Sequence, residues 1–150
     1  GLLHAIGAGI TVAEIQQSSD VTYRVYDYNR ENANHEKRPL HIEKAALVAG
    51  FMPPLAGHRP MGPRIRKNGY SRTLLVQCPY FVVQLYEISE SVAGDTAEGF
   101  QSLLILEGEG VLKTSFGEMS LKAGDSIYLP KETGSYQIIG TLQLLRSTEE

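Results

Sequence analysis

The stretch Leu106-Glu107-Gly108-Glu109-Gly110, followed by Leu121-Lys122-Ala123-Gly124-Asp125-Ser126-Ile127-Tyr128-Leu129-Pro130, decides the architecture expected of this chain. Residues 101–107 and 111–115 are apolar, strand-forming runs, and the glycines between them carry a hairpin signature. Further runs at 118–121, 125–129, 135–139 and 141–146 are short and evenly spaced, with turns expected at Gly117, Gly124 and Gly134. Before the quoted stretch lie two more strands, 73–78 and 80–89, the second with Phe81, Val83 and Leu85 alternating with Tyr80, Val82 and Gln84. Short strands punctuated by glycine turns point to an antiparallel barrel or jelly roll, not to alternating βαβ units.

Toward the N-terminus the pattern changes. Pro39 opens a run with helix-forming Ala and Leu, residues 40–49, and Gly50 stops it, so one helix is expected there. Residues 51–70 hold Pro53, Pro54, Pro60 and Pro63 with Gly57, Gly62 and Gly69. So many missing backbone donors read as a connecting loop. The basic residues Arg64, Arg66, Lys67 and Arg72 around it read as a solvated surface, with a phosphate or partner contact as the alternative. Residues 10–15 and 21–27 are rich in β-branched and aromatic side chains and are expected to be strands.

The chain has 150 residues, the size of one ordinary domain, with 42% hydrophobic and 21% charged residues. No apolar run approaches the ~20 residues of a membrane-spanning helix, and 14 basic against 17 acidic residues give no broad electrostatic reason to bind nucleic acid. The single Cys78 cannot form an internal disulfide, which favours a reducing, cytoplasmic setting. With no His near it in sequence, Cys78 is a poor catalytic thiol.

The first two dozen residues concentrate polar chemistry. His4 is a possible metal ligand, and a carboxylate (Glu14), two amides (Gln16, Gln17) and a guanidinium (Arg24) follow on the expected strands. The segment starts almost at the first residue, without an initiator Met, so its site is expected to extend beyond this chain. Gly7-Ala8-Gly9 is not a phosphate loop, because the Lys-Ser/Thr ending and the following helix are missing. His35 in a polar turn, His41 at the helix start and His58 in the proline loop read as surface residues without zinc-ligand spacing.

The glycine-turn strands of residues 98–145 resemble the cupin superfamily of small jelly-roll barrels. In metal-binding cupins a His follows the proline by a few positions. Residues 131–137 (Lys-Glu-Thr-Gly-Ser-Tyr-Gln) hold none, so this barrel is expected to be metal-free. Leu3-His4-Ala5-Ile6-Gly7 looks like a late strand of a different cupin barrel, and Glu14 through Arg30 is similar to the signature of type I mannose-6-phosphate isomerases in their shorter bacterial form. The resemblance runs nearly end to end.

It implies an all-β fold: a cupin jelly-roll barrel (double-stranded β-helix) with one short helix, plus the remnant of a second cupin barrel at the N-terminus. Residues 1–38 would be the C-terminal part of the catalytic barrel, 39–72 the helix and proline-rich connector, and 73–150 the second, metal-free barrel. It also implies zinc-dependent interconversion of mannose 6-phosphate and fructose 6-phosphate. Moving a proton between C1 and C2 through an enediol-like species needs a base and something that holds negative charge on oxygen.

Within that resemblance His4 matches a zinc ligand, with a Gln, a His and a Glu of the set expected upstream. Read alone, a lone His on a strand is more often structural. Arg24 is the candidate catalytic cation, against a salt bridge to Asp20 or Asp27. Glu14 takes part in proton transfer or pairs with Arg24. Arg30 stands where relatives meet the substrate phosphate with Lys, against a solvated Arg in a turn. Gln16, Gln17, Ser18, Ser19 and Asp20 would support the loop. The chain alone would be inactive, and its expected contacts are a sugar phosphate and either another copy or the missing N-terminal part. The rival reading is a non-catalytic cupin module that binds a sugar or sugar phosphate, since fold does not fix function.

Overall fold

The structure, a computed structural model, describes residues 2–18, 21–50 and 59–149. Ser19, Asp20, Pro53, Pro54, Gly57 and His58, which figure in the sequence reading, lie outside the described residues. The chain divides into two compact units, Gly1–Gly57 and His58–Glu150.

The second unit is built from eight strands: β1 Arg64–Lys67, β2 Tyr70–Cys78, β3 Phe81–Ile88, β4 Ser91–Asp95, β5 Gln101–Thr114, β6 Gly117–Lys122, β7 Ser126–Leu129 and β8 Ser135–Thr148. All pair antiparallel in one sheet with the path β1-β2-β3-β8-β5-β6, while β4 joins β8 and β7 joins β5. The two 14-residue strands β5 and β8 run against each other along their length, Gln101 opposite Thr148 and Thr114 opposite Tyr136. On its other edge each exchanges partners midway. β8 pairs β4 through 135–139 and β3 through 142–148, whereas β5 pairs β7 through 101–104 and β6 through 109–114. This exchange wraps the sheet around an apolar interior, the jelly roll expected from the sequence. Leu103, Ile105, Leu121, Ile138 and Leu144 are buried at its centre.

Three local readings are corrected here. Gly108-Glu109-Gly110 is not a hairpin: it lies inside β5, and residues 135–139 and 141–146 are one strand, β8. The glycines serve a close crossing of the two long strands. A Cβ on Gly140, whose φ is +146°, would stand 2.5 Å from the Glu109 carbonyl oxygen, and one on Gly108 (φ +79°) would collide with the Thr141 carbonyl. Beside them β5 carries a register shift between Ile105 and Glu107, which bends the strand. Residues 64–67, read as loop, form β1 against β2, after the prolines have ended. The expected turns at Gly124 and Gly134 lie between strands, whereas at Gly117 the turn is Ser115-Phe116 and Gly117 itself opens β6 opposite Thr114.

In the first unit the helix α1 spans Ile42–Val48, shorter than the 40–49 expected. Its start is delayed because His41 is tied elsewhere: its backbone N–H donates to the Arg24 carbonyl at 2.7 Å, and φ −126°, ψ 45° keep it out of the helix. The expected strands 10–15 and 21–27 are not formed. Their described residues run without a ladder, and a strand is defined by pairing, which side-chain propensity cannot supply alone. Among the described residues of this unit the one β-element is a single bridge, Glu31 to Lys37.

Candidate active site

The chain reverses direction twice between Asp27 and Arg38, and both reversals follow from local chemistry. Arg30 N–H donates to the Asp27 carbonyl at 2.9 Å while Tyr28 and Asn29 have φ of +53° and +54°, the pattern of a type I′ turn. Asn tolerates that region, but Tyr is strained there. Asn32 then organises the second reversal, its side-chain carbonyl accepting the N–H groups of Asn34 (2.8 Å) and Glu36 (3.0 Å). The Glu31–Lys37 bridge closes it and returns Arg38 to Asp27.

Asp27 is consequently the focus of three guanidiniums. Arg38 grips both carboxylate oxygens, Nε to Oδ2 at 2.7 Å and Nη2 to Oδ1 at 2.5 Å. Arg30 Nη2 stands 3.3 Å from Oδ1 and Arg24 Nε 4.0 Å from it. The Asp27 side chain is 8% exposed, while those of Arg24, Arg30 and Arg38 are 21%, 66% and 49% exposed. The hydrogen bonds from Arg38 hold the Asp27 carboxyl below its ordinary value, with the charges of Arg38, Arg30 and Arg24 adding to them against desolvation. The root of Arg24 is fixed as well. Its N–H donates to His41 Nδ1 at 3.2 Å and its carbonyl accepts the His41 N–H. His41, read as a surface residue, is half-buried and braces Arg24.

His4 lies in the open, with Nδ1 3.1 Å from the Leu2 carbonyl oxygen. When Nδ1 carries the proton it donates to that carbonyl, leaving the Nε2 lone pair free for a ligand, as in histidines that bind metals. His4 borders two hollows. One, about 640 Å³, is also lined by Arg24, Asp27, Arg30 and Arg38. The other, about 860 Å³, is lined by Glu14, Gln16 and Thr22. Thus His4 shares one hollow with the arginines and another with Glu14, whereas Glu14 and Arg24 border different hollows. The acid that Arg24 meets is Asp27.

Sequence reasoning missed Arg38 and gave Asp27 only a structural part. A signal was available: Glu31 and Lys37 are opposite charges symmetric about Asn34, and extending that symmetry sets Arg30 across from Arg38. Zinc needs several donors. His4 fits one position, but the described residues contain no group of three or more His, Cys, Asp or Glu able to hold a metal, so they do not complete a zinc site.

The β-unit has a polar cluster of its own. The Tyr136 hydroxyl donates to Gln101 Oε1 at 2.5 Å and Gln101 Nε2 donates to the Asp95 carbonyl at 2.6 Å. Arg146 Nη2 donates to Gln84 Oε1 at 2.7 Å and its guanidinium lies 5.2 Å from the centre of the Tyr86 ring. Burial pushes the Tyr136 hydroxyl above its ordinary pKa, with Arg146 opposing. The hollow between them is only about 10 Å³, room for about one water and not for a sugar.

Residues 71–149 match the family described as mannose-6-phosphate isomerase, cupin domain. The chain is 37% identical over 147 residues to a mannose-6-phosphate isomerase of Streptococcus mutans, covering 98% of this chain and 46% of that protein. It is 33% identical over 147 residues to the mannose-6-phosphate isomerase ManA of Bacillus subtilis, with the same coverage. Among solved structures it is similar to the mannose 6-phosphate isomerase from Bacillus subtilis, with TM-score 0.74 and 33% identity over 87% of this chain and 41% of that one. The Streptomyces nucleoside dehydratase Pac13 shares the fold alone, at TM-score 0.53 and 16% identity, covering 61% of this chain and 81% of that chain. The chain spans about half the length of the curated relatives it matches.

Proposed function

The chain belongs to the mannose-6-phosphate isomerase cupin-domain family, and from that premise we propose that it is part of an enzyme that interconverts mannose 6-phosphate and fructose 6-phosphate with zinc. The observation that carries this reading is the hollow lined by His4, Arg24, Arg30 and Asp27, which joins a metal-ligand type and a cationic cluster in one lining. In this reading residues 1–38 contribute to the catalytic barrel, 39–72 connect, and 73–150 form a second barrel that holds no metal. The exposed Leu2, Leu3, Ile6, Ile10 and Val12 are apolar surface against which the rest of the catalytic barrel, or another copy, would pack.

His4 would offer Nε2 to zinc, the other ligands coming from outside this chain. Bound zinc would supply Lewis-acid stabilisation at sugar oxygens. Arg24, on its braced root, would hold the oxygen that becomes negative as the proton leaves C1 or C2, because a guanidinium stays charged at any working pH. Glu14, which lines a second hollow with His4, is suited to taking and returning that proton. Arg30 would meet the substrate phosphate.

The test is Arg24→Ala in the natural full-length protein, with turnover and zinc content measured together. Turnover should fall about 10²–10³-fold, the usual cost of losing one oxyanion donor, with zinc retained. Near-normal turnover would sink the role of Arg24. The rival reading, a sugar-phosphate-binding module without chemistry, draws on the incomplete donor set. It wins if the natural protein binds sugar phosphate with neither zinc nor turnover. The isolated chain should show no measurable isomerase activity.

A further inference from the structure

We propose that Asp27 and Arg38 are a positioning pair that keeps Arg24 and Arg30 available as a preformed cationic cradle for the anionic oxygens of a sugar phosphate, Arg30 for the phosphate and Arg24 for the oxygen that becomes negative. The identity of the ligand rests on the isomerase reading; the cradle itself rests on geometry.

Three guanidiniums converge on one carboxylate, where a stabilising ion pair needs only one. Asp27 offsets one of the three positive charges, and two remain for anionic oxygens of a ligand. The division of labour is visible in the distances. Arg38 takes both Asp27 oxygens through its fork, the geometry in which one guanidinium satisfies one carboxylate. Arg30 and Arg24 stand farther off, at 3.3 and 4.0 Å, and share a single oxygen. Each keeps most of its donors unspent.

Asp27 is shielded while the three arginines reach solvent, so the free donors face outward and the acid does not. Among the described residues lining the 640 Å³ hollow, Asp27 is the sole acid. That volume lies within the range of small-molecule sites. The Tyr28 ring lies 5.7 Å from the Arg30 guanidinium and restricts its swing, and Tyr28 occupies a strained backbone position to do so. Without Arg38 the carboxylate would draw Arg24 and Arg30 onto itself, and a ligand phosphate would have to compete with it.

The experiment compares Arg38→Ala, Arg38→Lys and Asp27→Asn in the natural full-length protein, measuring inorganic phosphate affinity by calorimetry and KM and kcat for the sugar phosphate. Arg38→Ala should weaken phosphate binding and raise KM together by about tenfold, and change kcat less. Arg38→Lys restores the charge but not the fork, so it should recover only part of that loss. Asp27→Asn adds net positive charge, so simple electrostatics predicts tighter phosphate. Positioning predicts no gain in affinity and a lower kcat, because Arg24 loses its reference point. Phosphate affinity and KM within about twofold of wild type in Arg38→Ala, or full rescue by Lys, overturns the pair. If Arg38→Ala does not fold, the Lys and Asn variants carry the decision. Phosphate binding that depends on Arg38 in a protein without turnover would sink the isomerase reading and leave the cradle standing.

Discussion

In residues 59–149 most leucines and isoleucines turn inward and most charged groups stand outside. In residues 2–50 the arrangement is inverted, with a carboxylate among the best-shielded side chains and the apolar ones outward. Leu103 is fully buried in the β-unit, whereas Leu47 of α1 is 87% exposed. Among the described residues of 2–50 only Asp27 and Ala45 are buried. The β-unit therefore gains its order from apolar burial, which is non-directional and scales with area. The N-terminal segment gains its order from directional contacts: the His41 brace, the Asn32 turn and the Arg38 fork. Such contacts contribute little net stability each, but they fix where charged groups point. One region supplies a scaffold; the other supplies a geometry.

The sharpest way to break this contrast is to make one substitution in both regions. Leu103→Ala should destabilise the chain by about 2–5 kcal/mol in denaturant unfolding, the cost of a cavity in a closed core. Leu47→Ala should stay within about 0.5 kcal/mol. Equal costs would mean that the two units are stabilised alike. A smaller effect is expected at Tyr136→Phe, which removes the hydroxyl that donates to Gln101: a loss of about 1 kcal/mol by the same measurement. Because burial raises the Tyr136 pKa, the intact residue favours the folded state up to the pKa of an unfolded tyrosine, about 10. That contribution is lost as pH rises toward the folded value, so Tyr136→Phe should flatten the alkaline fall in stability.

The smallest expected effect is local. Asp27 has a depressed pKa, so its ion pairs contribute fully above the unfolded carboxyl value of about 3.9 and are lost as pH falls through the lower folded one. Carboxyl chemical shifts followed by NMR should show Asp27 titrating below the exposed carboxylates, with the Arg38 Nε–H signal lost in the same pH range. If Asp27 titrates with the exposed acids, the Arg38 fork is not formed in solution.

Where the reading of the sequence succeeded, the signal was local. Strands 118–121 and 125–129 and the turns just before Gly117 and at Gly124 and Gly134 each follow from neighbouring residues, and the structure places strands and turns there. Where it failed, the answer lay across the sheet. Gly108-Glu109-Gly110 carries the residues of a tight turn, yet those glycines are needed because Gly140 and Thr141, some thirty positions later, pass against them. Residues 10–15 and 21–27 have the side chains of strands, but no ladder forms among their described residues. At the candidate site, His4, Glu14, Arg24 and Arg30 were legible as chemistry, and His4 lines one hollow with Arg24 and Arg30 and another with Glu14. Arg38 was not legible, since its part depends on a hairpin that returns it eleven residues to Asp27.

The sequence by itself determined the class of this protein: β-rich with one helix, of the cupin isomerase family, with polar chemistry gathered in its first thirty residues. Composition, alternation and turn residues carry that information because propensity and burial act over a few neighbours. Only the tertiary structure decided that β5 and β8 are single strands crossing at glycines, and that Asp27 binds Arg38 while sharing one oxygen with Arg24 and Arg30. Those outcomes depend on which distant segments meet, and loop closure and mutual packing select the pairing from many that the local pattern would allow.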